Sequence, residues 1–577
     1  MTTDIPNLVA ALRQTAERIG DDHGLRFYDT PELSTYRGYA ELDRRARAIA
    51  ERLQRAGHRP GETAVVALQP GLNWADAAYG VLYAGLALVP APVAGYGATG
   101  TMGERIAGIA RSAEATVMIT EASVAEAIGG DLPGVEVAAY LFEDLVSEGN
   151  ADGWIEPELT ADSLAFLLFT SGSTGDPKGV IGTHGTFLAT IWACGELFGM
   201  DEDSVLVGWS PLHHIMGLML QVLNPATLGA QAVITATAQF QRRPVFWLQL
   251  ISKHRGTVSV AGNFAFALVT QLATADQIEE LDLSSLEVLF SGSEPVRSET
   301  VNAFLSRFAT TGLNPASIAP VMGMTEAMLI SAKFPGDELV LRRFDSARLE
   351  DGELVPADGE GSVEMVSCGR PSSRTSVVIV DPDTFEPVPD GTIGEIWVAS
   401  DMVSPGYFRR PDATAETFGH ELAGHDGAHM RTGDLAAILD GELYVTGRLK
   451  EMIIIRGRNI YPQDLEARAQ RLHAAVGIGS SFELEGHPSA VGIVLELDPE
   501  TAPPATDLAD LANAVRDELG TAYSLPSVAV AFVDAGRLPR TATGKVRRRP
   551  TRVLIEEGSL DVLHSSGFRP VLATHTH

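Results

Sequence analysis

Apolar runs with little polar alternation recur along the chain between about residues 60 and 450. The clearest runs have the length of short strands and lie at 62–69, 115–120, 164–170, 229–236, 256–262 and 286–292. Segments with helical periodicity lie between them, for example at 243–255 and 298–311. Strands without polar alternation are buried on both faces, as in parallel sheets that helices cover. The pattern predicts an α/β fold whose large N-terminal domain contains mostly parallel sheets.

The pattern changes near residue 380. The stretch SVVIVDPDTFEPVPDGTIGEIWVAS at 376–400 joins two strand-like runs through a Pro-Asp-Gly turn, which is a hairpin signal. This region is predicted to form a β-barrel-like subdomain. Further along, strands at 491–497 and 527–534 flank a helix at 507–520, which indicates a small α+β unit. The predicted domains are therefore 1–449 and a small, mobile C-terminal domain at 450–577.

The composition is that of a globular protein with an acidic surface. The 577 residues exceed the size of one ordinary domain, and 75 acidic against 43 basic residues give a formal net charge of −32. This excess argues against nucleic acid and anionic membranes as main partners, since both bind basic surfaces. The one dense basic stretch, GKVRRRPTR at 544–552, is a candidate docking patch for an acidic partner.

No segment of the sequence is typical of a targeting signal or a membrane span. The N-terminus lacks a basic start followed by an apolar core, and prolines and glycines interrupt the longest apolar stretch, 80–98. The protein is therefore expected in the cytoplasm. Cys194 and Cys368 are the only cysteines, which excludes a disulfide scaffold, and both are expected to be buried packing residues.

A loop rich in glycine and hydroxyl residues follows the predicted strand at 164–170. It reads TSGSTGDPKG at 170–179. Its glycines let backbone N–H groups approach phosphate oxygens, its hydroxyls add donors and Lys178 adds charge. The ATPase loop pattern G-x-x-x-x-G-K-S/T does not fit, because Gly179 follows Lys178. Such a composition is also typical of a mobile surface turn, so the loop alone does not establish a phosphate site.

Six further motifs follow this loop in a fixed order. They are PLHHIMGL, FSGSEPV, VMGMTEA, RTGDL, TGRLKEMIIIRGRNIYPQDLE and LPRTATGKVRR, at 211–218, 290–296, 321–327, 431–435, 446–466 and 538–548. The complete series resembles the motifs of the adenylate-forming superfamily, which contains acyl-CoA synthetases, peptide-synthetase adenylation domains and luciferases. The resemblance covers about residues 160–550. It implies an enzyme that activates a carboxylic acid with ATP and Mg²⁺.

The resemblance implies an ATP site assembled from several motifs. Phosphate-binding residues are expected in the loop, at Thr170, Ser171, Gly172, Ser173, Thr174, Gly175 and Lys178. Residues that frame the adenine and the α-phosphate are expected at Ser291, Gly292, Ser293, Glu294, Met322, Gly323, Met324 and Thr325. Asp434 is expected to accept hydrogen bonds from both ribose hydroxyls, and Arg448 is expected to contact ribose or phosphate.

The resemblance also implies four catalytic residues and a hinge. His214 would lie beside the acyl carboxylate and the thiol tunnel, and Thr325 would donate a hydrogen bond to the α-phosphate or the carboxylate. Glu326 would help to hold Mg²⁺, which prefers oxygen ligands. Lys545 would neutralise the charge that develops on the carboxylate and the α-phosphate. Lys450 would be the hinge about which the C-terminal domain swings.

Two features resemble one branch of the superfamily, the fatty acyl-AMP ligases. The motif RGRNIYPQDLE at 456–466 is typical of that branch, and the long stretch at 327–368 is similar to the insertion found in it. The insertion is thought to hinder the domain swing that builds a CoA site. Enzymes of this branch usually pass the acyl group to the phosphopantetheine thiol of an acyl carrier protein. An ordinary lengthened surface loop is the alternative interpretation of residues 327–368.

Other functions share part or all of the motif series. A CoA ligase would use the same catalytic residues and pass the acyl group to CoA. A peptide-synthetase adenylation domain is disfavoured because the insertion is foreign to it. A non-catalytic adenylate-binding protein would be expected to have lost Lys545, Glu326 or Asp434, and the chain retains all three.

Three positions depart from the pattern that is common in the family. Ile215 stands where aspartate is frequent, Met322 where an aromatic residue stacks on adenine, and Ser293 where alanine is frequent. At Met322 a thioether contact would replace the aromatic ring. These departures leave open whether the acid is a straight long chain or a bulky polycyclic acid.

Overall fold

The computed structural model describes residues 5–93, 101–129, 132–170, 178–455, 458–484, 490–541 and 545–568. The strands of the first half are β1 (Gly24–Tyr28), β2 (Ser34–Gly38), β3 (Thr63–Ala67), β4 (Ala87–Pro90), β5 (Val117–Thr120), β6 (Ala138–Leu141), β7 (Leu164–Thr170), β8 (Lys178–Thr183), β9 (Val205–Gly208), β10 (Gln231–Thr235), β11 (Val258–Ala261) and β12 (Val288–Ser291). The later strands are β13 (Ile318–Met324), β14 (Ala327–Ala332), β15 (Leu341–Asp345), β16 (Ser362–Val366), β17 (Arg370–Pro371), β18 (Thr375–Val380), β19 (Gly394–Ser400), β20 (His420–Leu422), β21 (His425–Leu439), β22 (Glu442–Arg448), β23 (Ile453–Ile455), β24 (Arg458–Ile460), β25 (Val476–Glu483), β26 (Ala490–Leu497), β27 (Ser527–Asp534) and β28 (His564–Ser566).

Helices alternate with these strands as the periodicity predicts. The α-helices are α1 (Leu8–Ile19), α2 (Tyr39–Arg55), α3 (Leu72–Tyr83), α4 (Met102–Ser112), α5 (Ala122–Ile128), α6 (Phe142–Glu148), α7 (His184–Phe198), α8 (Ile215–Leu218), α9 (Asn224–Leu228), α10 (Thr237–Arg242), α11 (Val245–His254), α12 (Asn263–Leu272), α13 (Ala275–Glu279), α14 (Ser298–Arg307), α15 (Ser346–Glu350), α16 (Pro411–Thr417), α17 (Pro462–Gln470), α18 (Leu508–Ala522) and α19 (Arg548–Glu556). A π-helical segment, Met219–Leu223, joins α8 to α9.

Two mostly parallel sheets form the large N-terminal part. One has nine strands in the order β17-β14-β13-β12-β11-β9-β10-β1-β2, and every pair from β13 to β1 is parallel. The other has six strands in the order β6-β5-β3-β4-β7-β8, parallel except for the β7–β8 hairpin. The predicted α/β class with parallel sheets is confirmed.

Helices α3 and α7 lie between the two sheets in one continuous hydrophobic core. The core joins residues of both helices with Val66 and Phe166 of one sheet and Phe290 of the other. Helix α7 is apolar on nearly all sides, as expected of a helix that is buried between layers. Its Phe187 ring stacks on Phe166 with ring centroids 4.1 Å apart. These contacts fix α7 against the strands that carry the site.

A third, antiparallel sheet follows in the region where hairpins were predicted. Its strands run in the order β18-β19-β21-β20, with β22 paired to β21. The β18–β19 pair is the hairpin expected from residues 376–400. The long strand β21 carries the RTGDL motif, and β22 ends at Arg448.

The long stretch at 327–368 forms ordered structure and packs on two parts of the protein. Strands β15 and β16 pair antiparallel and enclose α15. Phe344 of β15 shares a hydrophobic cluster with Tyr444 of β22 and Tyr461, which precedes α17. Glu350 at the end of α15 forms an ion pair with Arg458 of β24, with a distance of 3.1 Å. The stretch therefore contacts both the antiparallel sheet and the chain that follows it.

A separate, smaller sheet lies in the C-terminal part. Its four strands run in the order β25-β26-β27-β28, and α17 and α18 share a core with them that includes Ile493 and Val515. Neither cysteine is paired; Cys194 is buried as predicted, whereas Cys368 is only partly buried. No helix within the described ranges is long and apolar enough to cross a membrane.

Candidate active site

A cavity of about 650 Å³ lies at the carboxyl ends of the parallel strands β9, β11 and β12. Ligands bind at this edge in open α/β sheets. The cavity lining includes these residues that the sequence predicts: Lys178, His214, Gly292, Ser293, Gly323, Met324, Thr325, Glu326, Arg448 and Lys450. The fold thus brings residues from distant motifs to one place.

Glu326 lies in the tight turn between the antiparallel strands β13 and β14. Its side chain is almost completely buried, and its Oε1 accepts a hydrogen bond from the Tyr407 hydroxyl at 2.9 Å. Burial raises the pKa of the Glu326 carboxyl, although the hydrogen bond from Tyr407 and the charge of Arg448 oppose the rise. A cation that binds beside this buried carboxyl group would stabilise its ionised form.

Lys178, the first residue of β8, lies over the aromatic ring of Tyr407. Its Nζ is 4.8 Å from the centroid of the Tyr407 ring. Lys178 pairs with Thr170 across the β7–β8 hairpin, so the predicted phosphate loop connects two strands at the edge of the cavity. The loop residues Ser171, Gly172, Ser173, Thr174 and Gly175, and the side chain of Thr170, lie outside the described residues. Their role in phosphate binding stays a prediction.

The change Tyr407→Phe is expected to slow adenylate formation without abolishing it. It removes the O–H group that donates to Glu326 and keeps the aromatic ring beside Lys178. A hydrogen bond to a charged group contributes about 1.5–3 kcal/mol, which corresponds to roughly a ten- to a hundredfold loss in the rate of pyrophosphate release. An unchanged rate at saturating ATP would show that Tyr407 does not position Glu326.

Asp434 and Arg448 lie directly opposite each other on β21 and β22. The Arg448 Nε–H donates to Asp434 Oδ1 at 2.8 Å. Burial raises the pKa of the Asp434 carboxyl, and the positive charges of Arg448 and Lys545 oppose the rise. Asp434 itself does not line the cavity, but the adjacent residues Thr432 and Gly433 do. Strand pairing thus joins two motifs into one charged corner of the site.

Lys545 lies at the edge of this corner and not in the cavity lining. Burial and the charge of Arg448 lower the pKa of its ammonium group, whereas the acidic neighbours Glu451 and Asp434 favour the charged form. Its backbone N–H donates to the Thr541 hydroxyl at 3.1 Å. Lys545 of the last motif therefore lies beside the charged side chains of Asp434 on β21 and Arg448 on β22.

Three of the five lysines of this acidic protein lie at or beside the site, where carboxylates such as Glu326 and Glu451 also line the cavity. The chain has five lysines and a formal net charge of −32. Lys178 and Lys450 line the cavity, and Lys545 lies beside Asp434 and Arg448. A local cluster of cations attracts and holds a negatively charged ligand. This corner of the cavity is therefore suited to phosphate groups.

His214 stands at the N-terminus of the short helix α8. Its Nδ1 accepts a hydrogen bond from the Met216 N–H at 3.3 Å. Burial lowers the pKa of the His214 imidazole to about 4, so the ring is neutral at physiological pH. The chain continues into the π-helical segment, whose Met219 and Leu220 line the cavity. Such segments are frequent at functional sites.

The loop after β12 holds Ser293 in a left-handed conformation, with φ at +67°. Non-glycine residues adopt this conformation rarely. The Ser293 hydroxyl donates to Met216 Sδ at 2.7 Å, which links the loop to the residues after His214. The next side chain, Glu294, turns away and accepts a hydrogen bond from the Phe264 N–H at 2.6 Å. Glu294 therefore anchors this loop to the start of α12.

Among the predicted residues whose side chains the structure describes, five are not in the cavity lining: Ser291, Glu294, Met322, Asp434 and Lys545. Met322 packs instead against the core of the antiparallel sheet, near Ile396. The register of the β13–β14 pair shifts between Met322 and Met324. Beyond this shift, Met324 lines the cavity. Met324 therefore reaches the cavity and Met322 does not, and the thioether contact between Met322 and adenine stays a prediction.

The other half of the cavity is apolar and lies between α7 and the nine-stranded sheet. Helix α7 contributes Thr190, Cys194 and Phe198, which are four residues apart and so lie on one face. Strands β11 and β12 contribute Val260 and Phe290. This half can take a hydrocarbon group, whereas the charged corner can take phosphates.

Sequence reasoning missed several lining residues. Tyr407 follows β19 in a stretch with no motif of its own, so nothing distinguished it from a core aromatic residue. Cys194 was expected only to pack, yet it also lines the cavity. The spacing of Thr190, Cys194 and Phe198 by four was a signal that could have revealed a lining face of α7. Asn224 gave no signal at all in the sequence.

Comparisons with known proteins agree with this geometry. Residues 13–408 match the family model described as AMP-binding enzyme. The medium-chain-fatty-acid–acyl-carrier-protein ligase JamA from Moorena producens is 34% identical over 91% of this chain and 90% of its own length. The long-chain-fatty-acid–AMP ligase FadD28 from Mycobacterium tuberculosis is 30% identical over 94% of this chain and 97% of its own length.

Solved structures with similar folds carry related names. A structure from a study of fatty acyl-adenylate ligases from E. coli and L. pneumophila has a TM-score of 0.86 and 27% identity, and covers 96% of this chain and 98% of its own. The fatty acyl-adenylate ligase from L. pneumophila, in complex with acyl adenylate and pyrophosphate, has a TM-score of 0.74 and 28% identity over 97% of each chain. The chain therefore belongs to the AMP-binding enzyme family and, within it, to the fatty acyl-AMP ligases.

Proposed function

We propose that this enzyme joins a carboxylic acid to AMP and then transfers the acyl group to the phosphopantetheine thiol of an acyl carrier protein. The observation that carries the proposal is one cavity with a cationic corner near Lys178 and Arg448 and an apolar half along α7. An acid whose hydrocarbon part fills the apolar half would present its carboxylate to the phosphates. Relatives that are named for medium- and long-chain fatty acids support this substrate class.

The first step is an in-line displacement at phosphorus. A carboxylate oxygen of the acid forms a bond to the α-phosphorus of ATP, and the bond to the bridging oxygen of pyrophosphate breaks. Lys178 would steady the leaving pyrophosphate, and Thr325 would donate a hydrogen bond to the α-phosphate. Lys545 would offset the charge that builds on the reacting phosphorus oxygens. The products are acyl-AMP and pyrophosphate.

The second step is attack of the carrier thiol on the acyl carbonyl. The C–S bond forms, the thiol proton passes to solvent, and AMP leaves with the electron pair of the broken C–O bond. His214 has a pKa of about 4 and is therefore neutral. Because Nδ1 accepts from the Met216 N–H, Nε2 of the neutral ring carries the proton and can donate a hydrogen bond to an oxygen of the acyl group. This role of His214 belongs to the proposal.

Mg²⁺ is the metal that we propose to accompany ATP. Among the described residues, no group of three or more His, Cys, Asp or Glu side chains could hold a metal ion by itself. Of the two buried carboxylates that the structure describes in the cavity lining, Glu395 forms an ion pair with Arg431, so Glu326 is the one that we propose for the metal. This fits Mg²⁺, which usually takes one or two carboxylates together with substrate phosphates and water. Bound there, it supplies positive charge to the phosphate oxygens.

A carrier protein is favoured over CoA as the acceptor because of the stretch at 327–368. We place the domain boundary at 449/450, so Arg458 and Tyr461 belong to the C-terminal domain. The ion pair of Glu350 with Arg458 and the hydrophobic cluster that contains both Phe344 and Tyr461 tie the stretch to that domain. We propose that the swing that completes a CoA site is larger than the rotation that transfer to a carrier protein needs, and that only the larger movement breaks these contacts. CoA remains the second candidate acceptor, since the catalytic residues would be the same.

The change Lys450→Pro is expected to slow acyl transfer more than adenylate formation. Lys450 is exposed and follows the end of β22, where the N–H groups of Glu451 and Met452 both donate to the Arg448 carbonyl. Proline fixes φ and restricts the preceding residue, so a rotation about this position becomes difficult. Single-turnover assays would follow acyl-AMP formation first and its discharge to a carrier protein second.

Lys450→Ala is the matched control for this hinge prediction. It removes the same charge and keeps ordinary backbone freedom. The control should therefore transfer the acyl group faster than Lys450→Pro. Equal slowing of both steps in the proline variant would contradict a hinge at Lys450.

A mass-spectrometric assay tests the adenylation step directly. The purified protein would be mixed with ATP, Mg²⁺ and a panel of fatty and polycyclic carboxylic acids. We expect acyl-AMP and pyrophosphate to accumulate with at least one acid. The absence of acyl-AMP with every acid would contradict the proposed function.

A further inference from the structure

A polar side chain interrupts the apolar half of the cavity. Asn224, the first residue of α9, lines the cavity and is completely buried. Its neighbours include Cys194 and Met200, and the surrounding wall includes Phe198 and Phe290. A plain hydrocarbon chain gains nothing from an amide at this position, because a buried amide without a partner is unfavourable.

One end of the Asn224 amide lacks a hydrogen-bond partner within the part of the chain that the structure describes. The Nδ2 group is 4.0 Å from Met200 Sδ and lies close to the Cys194 thiol. The Oδ1 atom bonds to none of the described residues. Most buried amide groups in proteins are paired. Because Asn224 also lines the cavity, a hydrogen-bonding group that packs directly against it there would give this atom a partner.

The same helix shows that an unpaired polar atom is not sufficient by itself. Thr227, three residues further along α9, also has a buried hydroxyl with no partner among the described side chains and backbone groups. Thr227 does not line the cavity, whereas Asn224 does. The combination of burial, an unpaired amide and contact with the cavity is therefore what distinguishes Asn224.

A hydroxyl group is the substituent that matches this amide best. It can donate to Oδ1, and it can also accept from the amide nitrogen, so it suits either orientation of the side chain. Burial raises the pKa of the neighbouring Cys194 thiol to about 11. The thiol is therefore uncharged, and the surroundings of Asn224 favour a neutral ligand group over an ion.

We propose that Asn224 determines specificity by hydrogen-bonding a hydroxyl group on the acyl part of the substrate, so that the enzyme selects hydroxylated carboxylic acids. This inference rests on the proposed function, because it concerns the acid that the same cavity would activate. An acid without the hydroxyl leaves the amide unpaired in the complex. Sites built to bind a hydroxyl group discriminate strongly against analogues that lack it.

The test compares matched acids with the full-length enzyme. The panel would contain dodecanoic acid, its monohydroxy derivatives at each chain position, and two polycyclic acids that differ by one hydroxyl. For each acid, kcat/KM of acyl-AMP formation would be measured in the wild type, Asn224→Leu and Thr227→Val. We expect one hydroxy acid to exceed its parent by about tenfold or more.

The variants separate this inference from general damage to the enzyme. Asn224→Leu should bring the ratio between that hydroxy acid and its parent close to one, while the parent acid is still adenylated. Thr227→Val removes an unpaired buried hydroxyl outside the cavity and should keep the wild-type ratio. Loss of the preference in both variants would overturn the assignment to Asn224.

The wild-type measurements test the proposed preference for a hydroxylated acid even if Asn224→Leu does not fold. Adenylation of parent acids with no preference for any hydroxylated partner would overturn the inference and leave the proposed function intact. Failure to adenylate any acid would contradict the proposed function itself and remove this inference with it.

Discussion

Lys545→Ala is expected to lower the rate of acyl-AMP formation by roughly a hundred- to a thousandfold. The lysine lies beside Asp434 and Arg448, at the charged corner where the reacting phosphate would sit. Its positive charge is needed most when charge builds up in the transition state. Lys178 and Arg448 still line the cavity in this variant, so ATP binding should be largely retained.

Two measurements together check this prediction. Quenched single-turnover reactions give the rate of acyl-AMP formation, and calorimetry gives the dissociation constant for ATP. Lys253→Ala is the matched control, because Lys253 is an exposed lysine of α11 that contacts Tyr28 and does not line the cavity. The control should behave like the wild type. A Lys545→Ala enzyme with a normal rate would remove Lys545 from the mechanism.

Glu326→Gln is expected to reduce adenylate formation by roughly a hundredfold or more and to raise the Mg²⁺ concentration that half-saturates the reaction. Glutamine has nearly the same shape and can still accept the hydrogen bond from Tyr407, so the turn between β13 and β14 should be preserved. The substitution removes the negative charge and leaves only an amide oxygen for the metal. A Mg²⁺ titration of the initial rate measures the effect.

Tyr407→Phe serves as the comparison for this variant. It deletes the hydrogen bond that Glu326→Gln retains, and it keeps the carboxylate of Glu326. Its half-saturating Mg²⁺ concentration should therefore stay closer to that of the wild type than the value for Glu326→Gln. An unaltered Mg²⁺ response in Glu326→Gln would contradict a role for this carboxylate at the metal.

The large-scale fold was predictable because its elements are specified locally. The buried runs at 164–170 and 286–292 form β7 and β12, and the periodic segment 243–255 contains α11. The turn within 376–400 joins β18 and β19 as a hairpin. In each case a few adjacent residues carry the signal, through uninterrupted burial, helical spacing or turn chemistry.

Other features depend on contacts between distant residues and were not predictable. The register shift between Met322 and Met324 arises from pairing with β14, and it decides which methionine reaches the cavity. The hydrogen bond from Tyr407 to Glu326 joins residues 81 positions apart. Asn224 reaches the cavity only because α9 packs beside α7. Periodicity along the chain contains no information on such contacts.

Some expectations from the motifs remain untested predictions. The residues at 171–177 and 542–544 lie outside the described ranges. The phosphate contacts of the loop therefore stay predictions from the sequence. The roles of the site residues and the domain boundary at 449/450 likewise stay proposals.

The most direct test of the central claim is a competition between acyl acceptors. Preformed acyl-AMP on the enzyme would be offered CoA and a phosphopantetheinylated acyl carrier protein together, and intact-protein and small-molecule mass spectrometry would follow both products over time. We predict an acyl carrier protein mass shift equal to the acyl group, with CoA left unmodified. Acyl-CoA as the main product would contradict the claim that this enzyme loads a carrier protein.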